Sequence, residues 1–143
     1  MELNQIQNKI VDEFSVFDDW MDKYNFLIEL GKELPLIDPR YKTKDFLIEG
    51  CQSKVWLHPE FDGEIITFSA DSDAIITRGI VSLLIKVLSQ RTPQEIIAAD
   101  LFFIDKIGLR QNLSPTRSNG LLSMVRQMKL YAIAYDARNK KNN

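Results

Sequence analysis

The chain holds one cysteine and one histidine. The cysteine, Cys51, lies in the stretch IEGCQSKVWLHPE (residues 48–60), preceded by Gly50 and followed by Gln52 and Ser53. A free thiol with a pKa of about 8.5 reacts through its thiolate. At an accessible loop tip it can attack a sulfur electrophile and hold the transferred sulfur as a persulfide, one of the reversible caps of cysteine. A carrier of that kind needs a single thiol. A dithiol oxidoreductase needs a second one, and an iron–sulfur cluster typically takes about four thiolates. One cysteine and one histidine also cannot build a Cys/His zinc site, so the expected metal set is none.

The neighbours of Cys51 admit two readings. Glycine at position 50 reaches backbone angles barred to other residues and lets another surface come close, which suits a turn carrying an exposed thiol. Free cysteines are, however, commonly small buried hydrophobes, and a structural role stands beside the reactive one. His58 lies seven residues on, along an expected strand, roughly 20 Å from Cys51 at strand rise. It reads as a surface or rim residue and not as a base for the thiol. Asp71 and Asp73 flank Ser72, and all three read locally as helix N-cap residues. Arg117 falls near an expected helix start, where a cation opposes the helix dipole. That misfit points to another duty, such as binding a carboxylate or a loop carbonyl. Trp20 and Trp56 read as core.

The elements that must position these groups follow from periodicity. Ile6, Ile10, Val11 and Phe14 are spaced for a first helix. Ser15 with Asp18 predicts the cap of a second, with Phe17, Trp20, Tyr24, Leu27 and Ile28 on its inner face and Gly31 just past its end. Residues 32–45, with Pro35 and Pro39, read as a long loop. A strand-rich block follows: a short apolar run over 46–49, an alternating run over 53–58 with Val55 and Leu57 on one face, a turn at Asp62-Gly63, and a strand over 64–70. Cys51 then lies at the reversal between the first two of these strands. A very apolar helix is expected over 74–89, and Thr92, Pro93 and Glu95 mark a capped helix start. After a loop around residues 108–115 comes a last long helix with Leu121, Val125, Met128, Ala132 and Tyr135 on one stripe. Residues 139–143 read as a frayed polar tail. The predicted fold class is α+β, a small antiparallel β-sheet covered by α-helices, in one domain spanning residues 1–143.

Composition narrows the function classes. The chain has 143 residues, 45% of them hydrophobic, and a formal net charge of -2. That balance argues against bulk nucleic-acid binding, which needs a basic footprint. No apolar stretch reaches the roughly 18 residues of a membrane span. The N-terminus MELNQIQNK lacks the basic and apolar regions of a signal peptide, and a lone cysteine suits a reducing compartment. The expected location is cytoplasmic.

Five stretches together resemble the SufE family of sulfur-acceptor proteins: LGKELP (30–35), GCQSKVWL (50–57), DSDAIITRGI (71–80), TPQEI (92–96) and LSPTRSNGL (113–121). They occur in the family's order and span about residues 10–135, and the set is specific where any one alone would be weak. The resemblance implies an α+β fold similar to the scaffold protein IscU, without that protein's three cluster-ligating cysteines. It implies a partner, a SufS-like, PLP-dependent cysteine desulfurase that holds sulfur as a persulfide, and a second partner, a SufBCD-like iron–sulfur scaffold complex that receives it. The PLP belongs to the desulfurase, and this chain is expected to carry no cofactor of its own. The family cysteine maps onto Cys51, with Gly50, Gln52 and Ser53 in its loop. Asp73 and Arg117 map near that loop or at the desulfurase surface. The resemblance also implies a resting loop packed inward that swings out on docking, and a monomer or weak homodimer.

Three functions are therefore carried forward. The first is a sulfur carrier that stimulates its desulfurase by removing the covalent sulfur. The second is a desulfurase-binding regulatory adaptor that transfers no sulfur. The third is an independent thiol enzyme, which needs a base or activating cation near Cys51.

Overall fold

The computed structural model describes residues 1–142. Two helices open the chain, α1 (Leu3–Ser15) and α2 (Trp20–Gly31). Short 3-10 turns at Pro39–Tyr41 and Lys44–Phe46 lead to a hairpin of β1 (Val55–Phe61) and β2 (Ile66–Ser72). Then come α3 (Ile75–Leu88), α4 (Pro93–Ala98), the short α5 (Phe103–Lys106) and α6 (Leu109–Asn112), and α7 (Pro115–Asn142). The architecture is α+β.

The hairpin carries the predicted alternation. The strands pair antiparallel from Val55 opposite Ser72 to Phe61 opposite Ile66. Val55, Leu57, Ile66, Phe68 and Ala70 are buried against the helices, as a period of two requires for a sheet with one covered face. The segment at residues 46–49 differs from expectation. It begins as a 3-10 turn and touches the sheet through one bridge, Leu47 to Trp56, with the Ile48 N–H donating to the Val55 carbonyl at 2.8 Å. The sheet therefore has two strands, and Cys51 lies in the turn between that bridge and β1. The proline-rich segment before it is no free loop. Its Ile37 N–H donates to the Ala70 carbonyl at 3.0 Å and its Pro35 carbonyl accepts from the Ala70 N–H at 3.0 Å, so it lies along the outer edge of β2.

α3 is the central helix, with Ile76, Ile80, Leu83, Leu84, Val87 and Leu88 all buried. α2 crosses it at backbone contact. A Cβ on Gly79 would overlap the Leu27 carbonyl group, 2.7 Å from its carbon, and one on Gly31 would lie 2.9 Å from the Gly79 nitrogen. Gly31 is thus the last residue of α2, kept small by helix packing, and not the stop beyond its end. Asp19, in place of Ser15, caps α2 through the Met21 N–H. Phe17 precedes that helix, and its ring lies 5.3 Å from Phe26.

The helix starts at 75 and 93 contrast. Thr92 and Glu95 form the expected reciprocal cap of α4. Residues 71–73 do not cap α3 in the expected way: β2 runs through Ser72, and Ala74 occupies the N-cap position with no side-chain bond. Asp71 is engaged away from the helix start. Its carboxylate pairs with Lys42 and Arg78, each at 3.0 Å. On α7, Leu121, Met128 and Ala132 are buried and Val125 and Tyr135 half-buried. This helix runs on through Asn142, with the Asn139 amide donating to the Gly63 carbonyl at 3.0 Å. The expected frayed tail is helical over 139–142, and Asn143 lies outside the described residues.

Candidate functional site: the Cys51 cleft

Gly50 has φ +89°, a left-handed angle that costs glycine little and other residues more. It turns the chain so that residues 50–53 lie against α7. The fit there is close, since a Cβ on Gly50 would meet the Ser123 hydroxyl at 2.6 Å. One turn earlier on α7, Gly120 leaves room for the sulfur. The Cys51 Sγ–H donates to the Gly120 carbonyl at 3.6 Å, a long contact for a weak donor. Cys51 is half-buried, and that burial pushes its thiol pKa up. In this arrangement burial disfavours the thiolate form of Cys51.

The sulfur opens onto a cleft of about 460 Å³ between the loop, the start of α3 and the start of α7. Gln52 and Ser53 line it from the loop, Asp73, Ala74, Thr77 and Ile80 from the α3 side, and Thr116, Arg117, Gly120 and Met124 from α7. Gly50 is not part of the wall and acts only through the turn. Asp73 closes the far end of the loop. Its carboxylate accepts from the Lys54 N–H at 3.0 Å, and its own N–H donates to the Lys54 carbonyl at 3.3 Å. Asp73 is therefore a loop tie and not the cap of α3.

Arg117 is exposed at the first turn of α7. The carboxylate or loop carbonyl expected as its partner is replaced by a phenol: Nη1 donates to the Tyr24 hydroxyl at 2.7 Å, joining α7 to α2. His58 is placed elsewhere. It is 8% exposed, not on the surface, because Tyr41 stacks on it at 3.7 Å between ring centres and Phe46 meets it edge-on at 4.8 Å. Burial pushes its pKa down; Arg40 adds to that, and Glu60 and Asp38 oppose it. The imidazole packs the 3-10 segment onto β1 and takes no part in the cleft. Trp56 is half-buried with the Lys42 ammonium 4.7 Å above its ring. No group of three or more His, Cys, Asp or Glu side chains suited to a metal exists among the described residues.

The sequence reading missed Thr77, Thr116 and Met124 as cleft residues, and Tyr24 as the partner of Arg117. Tyr24 reads only as one inner-face position of α2, and Met124 is not among the positions of the stripe predicted for α7. Gly120 left a trace, as a small residue one turn after Arg117 on the same helix.

Residues 8–132 match the SufE family, described as an Fe-S metabolism associated domain. The chain belongs to the SufE family. An uncharacterized SufE-like protein of Rhizobium etli is 45% identical over 127 residues, covering 85% of this chain and 86% of that one. A second, from Rhizobium meliloti, is 41% identical over 127 residues, covering 85% and 91%. The Arabidopsis thaliana SufE-like protein 1, chloroplastic/mitochondrial, is 36% identical over 143 residues, covering 99% of this chain and 38% of the longer plant protein. The solution structure of a hypothetical protein from Thermus thermophilus superposes with a TM-score of 0.75 over 92% of this chain and 96% of the other, at 16% identity. That likeness speaks for the fold alone. No helix among the described residues is long and apolar enough to cross a membrane.

Proposed function

We propose that this SufE-family chain is a sulfur acceptor acting through Cys51, with a PLP-dependent cysteine desulfurase of the SufS type as donor and an iron–sulfur cluster scaffold as recipient, in the cytoplasm. The Cys51 thiolate attacks the outer sulfur of the desulfurase persulfide. The donor's S–S bond breaks, the donor cysteine leaves as a thiolate, and the outer sulfur stays on Cys51 as a new persulfide. The exchange is neutral in electrons and follows the rules of thiol–disulfide exchange, in which thiolate fraction and access set the rate. Removing the sulfur from the desulfurase frees it for another turnover, which is the stimulation we expect.

The observation that carries this reading is the placement of the only thiol in the chain on a cleft wall, bonded to a backbone carbonyl and, among the described residues, to no side-chain base. A self-sufficient thiol enzyme needs an activating base or cation in contact with the sulfur; the one histidine is packed against Tyr41 and Phe46, and the sulfur's hydrogen bond goes to the Gly120 carbonyl. A carrier needs a shielded thiol that a partner can reach. The thiol sits in a short turn whose sulfur contact is weak, so docking has little to overcome in lifting it.

The test is intact-protein mass after incubation with a SufS-type desulfurase, PLP and cysteine, with reductant removed. We expect the added mass of sulfur on the wild type, reversed by dithiothreitol and absent from Cys51→Ser, together with loss of desulfurase stimulation in that variant. Stimulation by C51S equal to wild type, with no sulfur added to either, would replace the carrier with a regulatory adaptor.

A further inference from the structure

Arg117 stands in an unusual position for a cation. It occupies the first turn of α7, where a positive charge opposes the helix dipole, and among the described residues it pairs with no carboxylate. Asp73, the carboxylate on the same cleft, is engaged by the Lys54 N–H instead. What holds the guanidinium is the Tyr24 hydroxyl, 2.7 Å from Nη1 and 93 residues away in sequence. The carbon of the guanidinium lies 6.0 Å from the centre of the same ring. A carboxylate at this point would hold Arg117 more tightly and cancel its charge. A phenol fixes it and leaves the charge and the remaining N–H donors free.

The cleft that Arg117 shares with Cys51 is where sulfur transfer creates an anion. The donor thiolate leaves, and the outer sulfur on Cys51 ionises more readily than the thiol it replaced, because a hydropersulfide is a stronger acid than its parent thiol. A fixed cation on the wall of a partly enclosed site favours that product by direct attraction. We propose that Tyr24 is a positioning residue for sulfur transfer: its hydroxyl holds the Arg117 guanidinium at the cleft with its charge uncancelled, where it meets the anionic outer sulfur of the Cys51 persulfide. This rests on the reading of Cys51 as a sulfur carrier.

The test uses the full chain, loaded in two ways. Inorganic polysulfide loads Cys51 without any partner: the thiolate takes one sulfur, and a polysulfide one atom shorter leaves. The rate of iodoacetamide capture of the persulfide is then followed against pH. In Tyr24→Phe the apparent persulfide pKa is expected to rise, in Arg117→Gln to rise further, and in Arg117→Lys to return part of the way. With the desulfurase and cysteine, Y24F is expected to transfer sulfur about two- to tenfold more slowly at saturating desulfurase, the range of one lost hydrogen bond, at an unchanged half-saturating concentration. Thermal melts of Y24F matching wild type exclude a general loss of structure. A Y24F persulfide profile identical to wild type overturns the proposal. So does an effect confined to the half-saturating concentration, which would make the pair a docking contact. Wild-type protein that takes no sulfur from the desulfurase would instead remove the carrier reading on which the proposal rests.

Discussion

Gly79 and Cys51 each sit where a helix meets another piece of chain, yet the two contacts are built on different tolerances. At Gly79 the backbones of α2 and α3 touch, and a single added carbon would fall 2.7 Å from the Leu27 carbonyl carbon and closer still to its oxygen. At Cys51 the loop meets α7 through a glycine that leaves space: a Cβ on Gly120 would lie 3.6 Å from the sulfur, an ordinary contact. The first contact lies in the buried cluster that includes Leu27, Ile76, Ile80 and Leu83. The second borders a cleft and depends on a glycine turn, one weak sulfur contact and the Asp73 tie. Close packing transmits strain and resists change, whereas segments with few buried contacts open at low cost. The comparison separates a tightly packed frame from a thiol-bearing loop held by few contacts.

The largest effect is expected where the frame is tightest. Gly79→Ala forces α2 off α3, because the obstacle is backbone and cannot rotate away. A loss of about 3 kcal/mol, the upper end for overpacking, is expected in urea unfolding. A change below about 1 kcal/mol would show that the helix pair yields more easily than its contact implies.

Asp71 sits between the two regions, since its Lys42 and Arg78 pairs tie the segment before Cys51 to the start of α3. Burial pushes its carboxyl pKa up, but the Lys42 bond, the Ser72 N–H and the Arg78 charge outweigh that and hold it below the usual value. A carboxylate depressed in the folded state stabilises fully above its unfolded pKa of about 3.9 and loses that contribution as pH falls through the folded value. Asp71→Asn is expected to cost about 2 kcal/mol at pH 7 and to flatten the stability curve below about pH 4. A variant that keeps the wild-type acid slope would assign that slope to other carboxylates.

The smallest energy belongs to the loop, where the functional consequence is greatest. Gly50→Ala meets both the positive φ and the Ser123 hydroxyl, and is expected to cost about 1 kcal/mol. Because burial raises the Cys51 pKa, wild-type alkylation by iodoacetamide should rise with pH to a midpoint above the free-thiol value of about 8.5. Lifting the loop removes that burial, so G50A should react faster at pH 7 with a midpoint nearer about 8.5. Equal midpoints would mean that the loop stays seated, and the contrast with Gly79 would be smaller than the geometry suggests.

Much of this molecule was legible in the sequence, wherever a local rule had no competitor. The faces of the hairpin follow from alternation at Val55 and Leu57, the cap of α4 from Thr92 and Glu95, and the buried stripe of α7 from Leu121, Met128 and Ala132. The ordered motifs around Gly50–Cys51, Asp73 and Arg117 pointed to the SufE family and to the lone thiol as the group to follow. Local rules failed where a distant partner outbid them. Asp71 has the residue type of a helix cap, but β2 continues through Ser72 and cations from positions 42 and 78 pair with its carboxylate. His58 has the alternation of an outward residue, but the 3-10 segment folds Tyr41 and Phe46 over it. Gly31 has the look of a helix stop, and is instead the small residue that lets α2 rest on α3. Sequence periodicity reports which face of an element is apolar, because that face repeats along one backbone. Which element then covers it, and which side chain arrives from 93 residues away to hold Arg117, depends on how the helices close around the hairpin. That closure is decided by the packing of the whole core, and only the tertiary structure records it.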